Sequence, residues 1–121
     1  MNRKITGDRG EALAADFLRE SGYRILERNF RTKRGEIDII AAQGDCIVFV
    51  EVKHWKTYGS ADLEYGIDGR KQSRIIGVSR EYLAGLQKSD TASVRYDVVF
   101  IGSKEEVFDH YINAFTETGT V

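Results

Sequence analysis

Hydrophobic and polar positions along the chain change period several times, and each change marks an element. Gly10, Leu13, Ala14, Phe17 and Leu18 recur at helical spacing, which predicts a first helix with Thr6 or Asp8 as its cap and Gly22 as its end. Ile25 and Leu26 among basic residues predict a short strand over 24–30, and the run 31–35 reads as an exposed turn. The segment 36–53 is rich in isoleucine and valine and predicts two strands joined around Gln43, Gly44 and Asp45. Helical spacing returns with Ile75, Val78, Tyr82, Leu83 and Leu86, giving a second helix over 70–86 that Asp68 can cap. Residues 94–101 then form a strand. A helix separates it from the strand ending at Lys53, so a right-handed crossover would make those two strands parallel. Residues 106–112 predict an edge strand, and 114–121 are expected to fray. A chain of 121 residues with no proline and no linker-like tract forms one domain, 1–121. The expected architecture is α/β, a mixed central sheet of four to five strands flanked by helices.

The hairpin carries the candidate chemistry. With Gly44-Asp45 as a two-residue loop, Gln43 pairs with Cys46, Asp38 faces Glu51, and Glu36 faces Lys53. Period-two alternation then puts all four charged side chains on one face and Val48, Val50 and Val52 on the other. Directly opposed side chains have Cβ atoms about 4.5–5.5 Å apart, where like charges are destabilising, so something cationic should lie between Asp38 and Glu51. Lys53 and nearby arginines can supply it as an ion-pair cluster. A hard divalent cation such as Mg²⁺ or Mn²⁺ can also supply it, taking one or two carboxylates and keeping several waters. Strand interiors are depleted in aspartate and lysine, yet here both interrupt the most hydrophobic stretch of the chain.

Two further residues bear on that cluster. Glu11 stands about 20° around the first helix from Leu18, on the flank of its buried stripe, from where it can reach over the sheet or serve as a first-turn acid favoured by the helix dipole. Lys71 is a cation in the first turn of the second helix, against the dipole, and is a candidate for phosphate binding. His54 adjoins Lys53 and could act as a general base, but alternation points it to the opposite face, which favours a structural or surface placement. Cys46 reads as a small hydrophobe, since one cysteine cannot form an internal disulfide and two histidines are too few for a structural zinc site. Composition adds less. Net charge is −1, so no overall basicity marks a nucleic-acid binder. The distribution is uneven, with a local +4 over residues 24–34 that includes Arg31, Lys33 and Arg34. No apolar run is long enough for a bilayer span or signal peptide, which predicts a soluble, cytoplasmic protein with no membrane partner.

Taken together, Glu11, the sequence G-E-I-D at 35–38, F-V-E-V-K at 49–53 and V-R-Y-D-V-V at 94–99 resemble the bacterial YraN family. That family is similar to the PD-(D/E)xK nuclease superfamily, the restriction-endonuclease-like fold, and especially to the small archaeal Holliday-junction resolvases. The resemblance runs from about Gly7 to Ile101 and implies catalytic roles for Glu11, Asp38, Glu51 and Lys53. The proline of the superfamily name is Ile37 here. Where members usually follow the lysine with one residue and then arginine, this chain has His54 and Trp55. Trp55 can pack on the second helix or stack on a base.

The functional expectation is a metal-dependent nuclease acting on DNA, with branched or structured DNA favoured. Asp38 and Glu51 would hold the metal, Lys53 would stand beside the attacking water, and Arg31, Lys33, Arg34 and Lys71 would meet phosphates. The runner-up is a nucleic-acid-binding or assembly module on the same scaffold without turnover. A glycosidase is disfavoured because so small a chain is unsuited to an aromatic-lined cleft, and no G-x-S-x-G elbow supports serine catalysis. By analogy with small structure-selective nucleases, a homodimer remains an option.

Overall fold

The computed structural model describes residues 3–54, 68–86, 93–102 and 104–116. Within these residues the chain runs α1 (Arg3–Glu20), β1 (Arg24–Thr32), β2 (Gly35–Gln43), β3 (Cys46–His54), α2 (Gly69–Ala84), β4 (Ser93–Ile101) and β5 (Val107–Phe115). The strands form one mixed sheet in the order β1-β2-β3-β4-β5, antiparallel except that β3 and β4 run parallel. The fold is α/β, as the alternating periods predicted. Trp55 lies outside the described residues.

Local chemistry accounts for most boundaries. Gly22 has φ of 93°, a left-handed conformation open to glycine at little cost, and ends α1 as expected. The Gly22 N–H donates to the Arg19 carbonyl and the Tyr23 N–H to the Leu18 carbonyl, which satisfies two of the helix's last acceptors. The other end differs from expectation. α1 begins at Arg3, so Thr6 and Asp8 lie inside it, and Glu11 sits about two turns in and is no first-turn acid. Asp68 caps α2 as predicted, accepting a hydrogen bond from the Lys71 N–H at 2.9 Å. The predicted edge strand over 106–112 extends to Phe115, because that phenylalanine is buried and stacks on Tyr96.

Pairing of β2 with β3 follows the register set by the Gly44-Asp45 turn: Gln43 with Cys46, Ala42 with Ile47, Ala41 with Val48, Ile40 with Phe49 and Ile39 with Val50. The ladder stops there, immediately before Asp38 and Glu51.

Each face of the sheet has its own core. α1 covers Ile39, Ala41, Val48, Val50, Val99 and Ile101 with Ala14, Ala15 and Leu18. α2 covers Ile37, Ile40, Ile47, Phe49, Val98 and Phe100 with Ile75, Ile76 and Val78. Ile37 and Ile39 are two apart and would share a face in a regular strand, yet they belong to opposite cores. The pleat is therefore interrupted at Asp38. On β1 the interruption falls at Asn29, which has φ of 55° and lies between Arg28, paired with Ile39, and Phe30, paired with Ile37. This corrects the prediction that Glu36, Asp38, Glu51 and Lys53 form one regular face.

Two other contacts fix the layers. His54 lies beneath α1, where a Cβ on Gly10 would come within 2.4 Å of its ring, so it occupies the structural position expected from alternation. On the same face Asp97 is fully buried and accepts from Arg95 Nε at 2.9 Å, Arg95 Nη2 at 2.8 Å and the Asn113 N–H at 2.9 Å, with His110 Nε2 at 2.8 Å. Burial alone would raise the Asp97 pKa, but the hydrogen bonds from His110, Arg95 and Asn113 hold it below the usual aspartate value. Arg95 Nη2 also donates to the Tyr23 hydroxyl at 2.6 Å, tying the end of α1 to β4 and β5.

Candidate active site at the fork of β2 and β3

Where the ladder of β2 and β3 ends, the Asp38 side chain takes the place of a backbone acceptor: its Oδ2 receives a hydrogen bond from the Val52 N–H at 2.8 Å. That bond holds the carboxylate in the mouth of the fork, at the C-terminal ends of the parallel strands β3 and β4. Crevices at the carboxyl ends of parallel strands are the usual ligand sites of open α/β sheets.

Glu51 pairs with Val98 and Lys53 with Phe100, both on the face covered by α2. Both charged side chains are buried. Burial, followed by the hydrogen bond and the charge of Asp38, raises the Glu51 pKa well above the usual glutamate value. Two carboxyl groups in that contact need a proton or a cation between them. Lys71 Nζ approaches Glu51 Oε2 at 3.7 Å from the first turn of α2, and the Lys53 amine meets Lys71. Burial lowers the Lys71 pKa, Glu51 opposes that shift, and Lys53 adds to it.

Glu11 approaches the same aspartate from α1. Its carboxyl is pushed up to about 7, first by burial and then by the charge of Asp38, with Glu36 adding to the shift and an Asn29 hydrogen bond and Arg28 opposing it. Glu11 Oε1 is buried without a hydrogen-bond partner, and Arg28 Nη2 is 4.0 Å away. Asp38 thus stands between Glu51 on one side of the sheet and Glu11 on the other, which the break in the pleat permits.

Of the predicted site residues, Glu11, Asp38, Glu51 and Lys53 converge at the fork. Glu36 does not continue the ladder opposite Lys53 and instead pairs with Arg31 at 3.3 Å. Arg31, Lys33 and Arg34 lie exposed at the β1–β2 turn, whereas Lys71 is half-buried and directed into the fork. Asn29 and Arg28 were not anticipated, and only the odd placement of an asparagine in a strand hinted at the first. No group of three histidine, cysteine, aspartate or glutamate residues converges into a metal cage among the described residues. No helix among them is long and apolar enough to cross a membrane.

The molecule is thus a small α/β domain with a buried acid–lysine cluster at the open end of its central strands. The chain belongs to the Uncharacterised protein family UPF0102, whose profile matches residues 10–101. It is 50% identical over 103 residues to a UPF0102 protein of Syntrophus aciditrophicus, covering 84% of this chain and 79% of that one. A Moorella thermoacetica UPF0102 protein is 46% identical over 101 residues, covering 84% and 83%. A Clostridioides difficile relative is 38% identical over 120 residues, covering 95% of this chain and all of its own. The profile spans every residue of the cluster.

Proposed function

We propose that the chain is a metal-dependent nuclease of restriction-endonuclease-like fold that hydrolyses phosphodiester bonds, with structured or branched DNA as the favoured substrate. The reading is carried by one observation: the Asp38 and Glu51 carboxyls are in hydrogen-bond contact at the fork, beside the buried Lys53. Like charges so close require a cation or a proton, and Mg²⁺ or Mn²⁺ is suited to two carboxylates with water and substrate oxygens completing the shell. The donor set fits such an ion. Asp38 and Glu51 would hold it, and a bound cation there lowers the pKa of water and offsets negative charge.

The chain's own residues supply the rest. Lys53 presents a buried ammonium where negative charge grows as water attacks phosphorus in line, the P–O bond to the leaving oxygen breaks, and that oxygen takes up a proton. With its carboxyl poised at about 7, Glu11 accepts or returns a proton near neutral pH. Arg31, Lys33 and Arg34 contact phosphates on the neighbouring turn. Lys71 neutralises Glu51 until substrate and cation arrive.

The test is cleavage of labelled linear and branched DNA with Mg²⁺ or Mn²⁺, comparing wild type with Asp38→Ala and Lys53→Ala. Each substitution is expected to reduce cleavage on the order of a hundredfold or more. Equal background from all three proteins refutes hydrolysis and leaves a binding or assembly module on the same scaffold.

A further inference from the structure

The exposed β1–β2 turn and α2 are interlocked through two glycines. A Cβ on Gly35 would lie 2.8 Å from Arg74 Cδ and 3.1 Å from Arg74 Cγ, so the Arg74 stem crosses the end of the turn. In return, a Cβ on Gly77 would lie 3.3 Å from Arg34 Nη1 and 3.4 Å from Arg34 Cδ, so Arg34 lies across α2 at the helix's one interior position without a side chain. Glycine within a helix costs up to about 1 kcal/mol relative to alanine, and here its place is filled by an arginine from another element. The Arg34 N–H donates to Thr32 Oγ1 at 3.1 Å, which pins the turn itself.

This interlock gathers Arg31, Lys33 and Arg34 from the turn with Arg70 and Arg74 from α2, all exposed. Arg70 and Arg74 are one helical turn apart and share a face. Two acids oppose the group, Glu36 at 3.3 Å from Arg31 and Glu81 at 3.8 Å from Arg34, and both pairs are solvent-exposed contacts of little strength. The first turn of α2 holds Arg70 and Lys71 and no acid, opposite to the helix dipole's preference. Lys71 turns inward to Glu51, so the cations beside it flank the mouth of the fork.

We propose that these five cations form one ridge, centred on the interlocked Arg34 and Arg74, that grips the phosphate backbone of a nucleic acid, with Arg70 and Arg74 as full members of the binding surface. The proposal rests on the nucleic-acid reading above but requires neither hydrolysis nor a bound metal. Rigidity at the centre of the ridge comes from the glycine interlock: the Arg34 side chain and the Arg74 stem, already seated on a neighbouring element, lose less freedom when they meet phosphates. The ridge reads charge and carries no base-specific group, so binding should be steeply dependent on salt and indifferent to sequence.

The experiment is fluorescence anisotropy of a labelled DNA duplex in EDTA over a series of salt concentrations. Wild type is compared with the double variant Arg70→Gln/Arg74→Gln, which keeps the stem of Arg74 over Gly35 while removing both charges. Arg34→Gln tests the turn, and Arg19→Gln, on the exposed last turn of α1, is the control. Circular dichroism and thermal midpoints verify that each variant is folded. The double variant is expected to bind about tenfold or more weakly, with the slope of log K against log salt reduced by about 1.8, the value for two lost phosphate contacts. The control should leave both unchanged. If Arg34→Gln weakens binding while the double variant binds like wild type, the ridge is overturned and nucleic-acid binding by the turn survives. If wild type shows no salt-dependent binding, the nucleic-acid reading fails together with the ridge.

Discussion

Glu11→Gln isolates the acid that approaches the fork from α1. The carboxyl is raised from 4.5 to about 7, so between those values the folded protein holds a proton that the unfolded chain has released. Stability from this group is therefore complete below pH 4.5 and is lost as pH rises through about 7. Each pH unit of that gap corresponds to 1.36 kcal/mol, which makes the total at most about 3.4 kcal/mol, reduced by solvent and by Arg28 at the edge of the site. Glutamine imitates the protonated form at every pH. Urea unfolding of wild type and Glu11→Gln should give similar free energies at pH 4.5, and the variant should become the more stable by about 2–3 kcal/mol at pH 8. Because Glu51 and the remaining acids are common to both proteins, the difference between the curves reports Glu11 alone. A difference that stays constant from pH 4.5 to pH 8 would refute the placement of a buried Glu11 carboxyl against Asp38.

Three other outcomes follow from the same geometry. At the proposed cation site, Lys71→Met removes the amine 3.7 Å from Glu51 and should tighten Mn²⁺ binding by several-fold to about tenfold in isothermal titration; unchanged affinity would separate Lys71 from that proposed site. Asp97→Asn leaves the partly buried Arg95 without its counter-charge and should cost about 2–4 kcal/mol in urea unfolding at pH 7. Since Asp97 is held below its usual pKa, that loss should shrink as pH falls through the folded value, and a pH-independent loss would contradict the assignment. Gly10→Ala should destabilise the fold by about 1–3 kcal/mol although alanine is the better helix former, because its Cβ would meet the His54 ring. Adding His54→Ala should recover much of that loss, and strict additivity of the two changes would disprove the contact.

Interactions closed over short stretches of chain were legible from the sequence. Gly22 needed only its own φ to end α1, and Asp68 capped α2 through a residue three positions on. Gly44-Asp45 sets the β2–β3 register, and that register alone brings Asp38 and Glu51 together. The end of that ladder was not legible. Alternation placed Glu36 opposite Lys53, but the pleat breaks where Asn29 on β1 takes a left-handed conformation beside Asp38, a choice made across strands.

The remaining features join residues far apart in the chain, and packing alone decided them. Lys71 was a cation with no visible partner until α2 settled on the sheet and brought it to Glu51. Nothing along the chain marks Asp97 as the centre of a network, since its four donors come together only when β5 pairs with β4. Gly35 and Gly77 carried no signal of the arginines that cross them. By itself the sequence determined the elements, the hairpin register and the candidate acids, because those depend on period, turn chemistry and neighbours along the chain. Tertiary structure decided which charges share the fork and which line its rim, because burial and charge–charge contact exist only once the helices close over both faces of the sheet.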